Sequence, residues 1–112
     1  MPAALFTRKK SVALTNSLAT TPVINVEDVG EFILHAPGTY TTSTLTFYVY
    51  NPVTMDYQEL TADDGTALSR SLVQAKSVRG PEESFAAESI KIVTNQAGNN
   101  DRVVGITFKG AR

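Results

Sequence analysis

A chain that performs chemistry must hold a nucleophile, an acid or base, or a metal in a fixed place. This one has no cysteine, which removes thiol catalysis, disulfides and cysteine-based zinc sites together. Its one histidine, His35, closes the apolar run Phe32-Ile33-Leu34. No G-x-S-x-G elbow marks a serine as a nucleophile. A lone imidazole in that setting reads as structural. Asp63-Asp64-Gly65 brings two carboxylates together, but calcium takes roughly 6–8 oxygen ligands, and the spacing is not that of a calcium loop. A tight turn is the better reading, with Gly65 supplying a positive φ. No glycine-rich loop is placed to cradle a phosphate. The expectation is a protein that is not an enzyme, with no cofactor and no metal.

Binding candidates are clearer. Arg8, Lys9 and Lys10 are the only charges before Glu27. From Ser11 to Ser69 there is no Lys or Arg, but there are Glu27, Asp28, Glu31, Asp56, Glu59, Asp63 and Asp64. A basic segment therefore precedes an acidic body, although the formal net charge is only −1. Three clustered cations make too small a footprint for nucleic acid. Glu82, Glu83 and Glu88 read as a solvated face or as partners for Lys76 and Arg79. Tyr48 and Tyr50 share one face of a strand, with Tyr40 and Tyr57 flanking it. Aromatic side chains on a sheet's outer face stack sugars or pack against a protein partner.

Strands must position these groups. Thr44–Tyr50 alternates strictly: Leu45, Phe47 and Val49 face one way, and Thr44, Thr46, Tyr48 and Tyr50 the other. Period two is the mark of a sheet with one buried face. Asn51-Pro52 ends that strand, and Tyr57–Leu60 returns beside it. Further strands are expected at 23–26, 32–35, 69–78, 90–94 and 103–109. Asn95–Asp101 is polar and turn-rich, as a hairpin loop between the last two would be. Pro81–Glu88 can form one helical turn. The expected core is Phe32, Leu34, Leu45, Phe47, Val49, Leu60, Ile90, Ile92, Ile106 and Phe108. Short strands separated by turns predict an all-β fold, a single β-sandwich of jelly-roll-like or immunoglobulin-like form.

With 112 residues and 42% apolar content, the chain suits one domain. Residues 1–22 read as an extended N-terminal arm and 23–112 as the sandwich. The arm's apolar islands, Leu5-Phe6 and Val12-Ala13-Leu14, are too short for a core of their own. Leu5, Phe6, Arg8, Lys9, Lys10, Val12 and Leu14 are accordingly candidate partner-binding residues, together with Tyr48 and Tyr50. Removing residues 2–21 is expected to leave a folded body that binds its partner poorly. No apolar run approaches the ~20 residues of a membrane span. The apolar residues precede the basic ones, the reverse of a signal peptide, so synthesis in the cytosol is expected.

The run Gly38-Thr39-Tyr40, Leu45-Thr46-Phe47-Tyr48-Val49, Tyr57, Asp64-Gly65-Thr66, Phe85–Ile92 and Asn95-Gln96 resembles small structural proteins of tailed-phage virions. In those, a strand follows a GTYT-like turn, a DG hairpin comes next, and a proline-led turn precedes a YIKI-like strand. The likeness spans residues 32–109 and departs at Asn51-Pro52-Val53-Thr54 and at Ser89. It implies a capsid decoration, or cement, protein on the virion exterior, made in the host cytoplasm. The implied partners are the major capsid protein and further copies of the chain, a trimer being favoured, with no nucleic acid and no membrane. It also leaves open a carbohydrate- or receptor-binding module of a tail or head fibre, or a head-tail component.

Overall fold

The computed structural model describes residues 5–27, 29–95 and 103–111, and among them the side chains of 5–7, 85, 86 and 111 stand outside the description. Among the described residues nine strands form: β1 (Leu5–Ala13), β2 (Ile24–Asn25), β3 (Glu31–His35), β4 (Ser43–Asn51), β5 (Asp56–Glu59), β6 (Ser69–Leu72), β7 (Ser77–Arg79), β8 (Ser89–Thr94) and β9 (Val103–Ala111). A 3₁₀ turn, Glu82–Ala86, starts behind Pro81. Sheet I has the order β1-β9-β3-β7. Sheet II has the order β2-β8-β4-β5, with β6 also on β4. The named strands pair antiparallel throughout.

This is the expected all-β sandwich, and the strand order makes it a jelly roll. β5 and β6 pair with the C-terminal and N-terminal parts of β4 respectively, so they act as one interrupted strand. Between them Leu60–Leu68 stands out as a small hairpin. Thr61 bridges Ala67, Leu68 N–H donates to the Leu60 carbonyl at 3.0 Å, and Gly65 at φ 87° turns the tip. With that insertion set aside, the chain is one long antiparallel hairpin wound into two sheets: β1 on β9, β2 on β8, β3 on β7, β4 on β5 and β6. Two interlocked Greek keys of this kind define the architecture.

Period-two burial builds the core. Phe32 and Leu34 of β3, Leu45 and Phe47 of β4, Ile90 and Ile92 of β8, and Ile106 and Phe108 of β9 are all buried. Val49 and Leu60 are only partly buried against them. The Phe32 ring meets Phe108 in its own sheet at 6.2 Å and Phe47 across the sandwich at 6.5 Å, both tilted. That is the geometry aromatic quadrupoles favour. Phe32 also lies against Gly80, where an added Cβ would come within 2.1 Å of its ring.

Four expectations are corrected. First, the N-terminal segment is extended, but it lies on its own sandwich. β1 pairs with β9 along all nine residues, from Leu5 opposite Ala111 to Ala13 opposite Val103. Val12 and Leu14 are core residues, so no arm separates at residue 22. The chain then crosses to sheet II through a hydroxyl cluster, in which Thr15 Oγ1 and Thr21 Oγ1 lie 2.7 Å apart and share their two protons between each other and the Ser17 carbonyl. Thr15 bridges Val93, and β2 pairs with Ser89 and Ile90 at the other end of β8's edge. Residues 1–4 lie outside the described residues.

Second, the strand expected over 69–78 is two strands in different sheets. A turn at Val73–Lys76, with Ala75 at φ 60° and Lys76 N–H donating to the Val73 carbonyl, carries the chain from β6 in sheet II to β7 in sheet I. Third, β8 and β9 are not a hairpin, because each pairs in a different sheet. Residues 96–102 between them lie outside the described residues. Fourth, Tyr40 does not flank the outer face. It is buried, with its hydroxyl bonded to the buried Ser43 hydroxyl.

Candidate functional site

The outer face of sheet II gathers the aromatic candidates. Antiparallel partners share a face, so Tyr48 stands opposite Glu59, and Tyr50 opposite Tyr57. Tyr48 also faces Lys91 on β8. Tyr48, Tyr50, Tyr57 and Lys91 are each half-buried. The Tyr50 and Tyr57 rings meet at 5.3 Å, tilted by 59°. Tyr57 reaches across β4, and its hydroxyl shares a 2.9 Å hydrogen bond with Ser89. Lys91 Nζ sits 4.9 Å over the Tyr57 ring and donates to the Leu18 carbonyl at 3.0 Å. These contacts fix the rings before any partner arrives, so docking costs little side-chain entropy. The alternation of β4 pointed to Tyr48 and Tyr50. Tyr57 is the flanking tyrosine expected on the returning strand, whereas Lys91 joins the face only through the pairing of β8 with β4.

The basic residues divide between two faces. Arg8 and Lys10 stand opposite Phe108 and Ile106 and so share the inner side of sheet I, while Lys9 shares the outer side with Thr107. The Arg8 guanidinium lies 4.9 Å over the Phe108 ring, a cation–π contact. A cleft of about 380 Å³ opens here, where β1 and β2 end the two sheets, with Ile24, Asn25 and Glu27 on its other wall. Val12 and Leu14 are enclosed in the core, so they are withdrawn as partner-binding residues. Leu5 and Phe6 belong to β1 by backbone, and their side chains lie outside the described residues.

His35 lies on the outer face of sheet I. One ring nitrogen, Nδ1, bonds the Ser77 hydroxyl at 2.8 Å, and the other, Nε2, bonds the Thr107 hydroxyl at 2.9 Å. A serine activated by histidine needs the second ring nitrogen oriented by a group that stabilises the imidazolium, as a carboxylate does. Here a threonine hydroxyl occupies that place. The imidazole ties β7, β3 and β9 together, and next to it the bare Gly105 leaves a shallow trough with Ser11 on its far side.

Asp64 serves its turn. Its carboxylate accepts the Thr66 N–H at 2.9 Å, and the Thr66 hydroxyl and N–H hold its carboxyl below the ordinary carboxylate range. Among the described residues no three carboxylate or imidazole groups converge as a metal site would require. Arg79 pairs with Glu31 at 3.4 Å, both exposed. Such a pair contributes little to stability. Among the described residues no helix is long and apolar enough to cross a membrane. No protein-family model, curated protein or solved structure matches the chain.

Proposed function

We propose that the chain is a virion structural protein that decorates the outside of a tailed-phage shell and acts by binding, without chemistry of its own. The tyrosine face of sheet II carries this reading. Tyrosine supplies large, stiff contact area with a polar tip, and interface energy concentrates on such anchors. Tyr48, Tyr50 and Tyr57 form one contiguous set, with Lys91 and Glu59 at its border. Jelly rolls also recur in viral capsid and lectin domains, a fold-level analogy that raises the prior without assigning the role. A face of this kind can lie across the seam between capsomers. Interface shared by two capsomers raises the cost of parting them against the pressure of packaged DNA.

The test is to add the purified chain to undecorated shells and measure binding and heat resistance. Tyr50→Ala should weaken decoration about tenfold or more, since a central aromatic anchor commonly contributes 2 kcal/mol or above. Circular dichroism should remain native, because Tyr50 is outside the core. Unchanged affinity in this variant would remove the tyrosine face from the interface, and failure of the native chain to bind any shell would sink the proposal. One observation favours a runner-up: the Tyr50–Tyr57 ring pair beside Ser89 and Lys91 also suits a sugar ring. Glycan binding by the isolated chain, lost in Tyr57→Ala, would establish that reading instead.

A further inference from the structure

We infer that the chain self-associates head to tail, with the basic edge of β1 in one copy pairing with the acidic edge of β5 in the next. The inference goes beyond the proposed role and does not depend on which surface the protein decorates. β1 ends sheet I and β5 ends sheet II. Among the described residues no other strand meets the far edge of either. A strand edge presents a row of backbone donors and acceptors that can template another strand. β1 offers nine residues of such edge.

Charge decides which partner fits. Two copies of β1 related by a two-fold axis through its middle residue would set Lys9 against Lys9 and Arg8 against Lys10. Two copies of β5 paired the same way would set Asp56 against Glu59. Like charges directly opposite one another destabilise a strand pair, and opposite charges stabilise it. Both self-pairings are therefore opposed. The mixed pairing is favoured. With Lys10 opposite Asp56 in an antiparallel register, Lys9 falls opposite Tyr57 and diagonal to Glu59. Lys9, Lys10, Asp56 and Glu59 are all exposed, so pairing them unburies nothing. An interface between two different patches is heterologous and closes into a ring when its rotation permits. β5 has four residues, so the contact is short and the association weak in free solution. It gains strength where copies are held side by side on a common surface.

The experiment is sedimentation of the full chain at low salt, up to about 1 mM, with exchange of charge between the edges. The native chain should form concentration-dependent oligomers that weaken about tenfold or more when salt screens the edges. The pair Lys9→Glu and Lys10→Glu should abolish association, as should the pair Asp56→Lys and Glu59→Lys. All four changes in one chain restore complementarity and should restore the oligomers. Arg8 is left in place because it packs on Phe108. Circular dichroism on each variant separates lost association from lost folding, and recovery in the fourfold variant does so independently. A native chain that stays monomeric over the whole range overturns the inference. So does association that ignores both exchanges, or that the fourfold variant fails to regain.

Discussion

At the scale of single residues, the centre of the sandwich depends on an absence. Gly80 has no side chain because the Phe32 ring occupies that space; a Cβ there would come within 2.1 Å of ring carbon. The ring cannot retreat, since Phe108 and Phe47 stand on its other sides at 6.2 and 6.5 Å. Gly80→Ala should therefore destabilise the protein by about 3 kcal/mol or more, at the upper end of overpacking. Urea unfolding measures this, and a cost below about 1 kcal/mol would show that the core yields there. Much at this scale was legible in advance. Phe32, Leu34, Leu45, Phe47, Ile90, Ile92, Ile106 and Phe108 declare themselves by alternation. Tyr40 does not, because it sits in a turn where no period applies and its hydroxyl finds Ser43 only after folding. The tyrosine face is largely legible: Tyr48 and Tyr50 lie on one strand and Tyr57 on the strand that returns beside it, whereas Lys91 joins them through a pairing distant in sequence.

At the scale of elements, β1 shows why a strand can be read as an arm. Its inner positions run Arg8, Lys10, Val12. Charges stand where alternation looks for apolar side chains, because that end of the strand borders an open cleft and only its later part enters the core. Inward-facing charges are also a guard on edge strands. The strand expected over 69–78 misled in the opposite way. No Gly or Pro marks its break, which is made by Ala75 in a left-handed conformation. The loop before β9 has the composition of a hairpin, and composition does not distinguish a hairpin from a crossing between sheets. Because β1 is part of the sandwich, truncation reaches the fold itself. Deleting residues 1–13 removes β9's neighbour along its whole length and takes Val12 out of the core. The remaining chain should lose cooperative unfolding and most of its β-type circular dichroism. A stable, well-folded remainder would show that β1 is dispensable after all.

At the scale of the whole molecule, the winding was hidden from any local reading. Period two says that strands exist, and turn residues say where they end. Neither says that β1 finds β9, the most distant strand in the chain. The jelly roll follows from burying two apolar faces at once while the chain doubles back on itself, and that is a property of the complete hairpin. The register of its last pair, Leu5 opposite Ala111, has a mechanical consequence. Tension applied through residues 5 and 111 acts across the strands at one end of β1 and β9, so their hydrogen bonds are loaded one at a time, as in a zipper. Were the ends at opposite ends of the pair, all the bonds would share the load in shear. A single molecule pulled through these positions in an optical trap should therefore open at low force, starting with β1. Pulled instead through Ser43 and Ser89, which stand at opposite ends of the antiparallel pair β4 and β8 in the middle of sheet II, it should resist more strongly, because those bonds share the load in shear. Equal rupture forces along the two directions would contradict this. A sandwich wound in this way bears load along its central strands and yields at its ends.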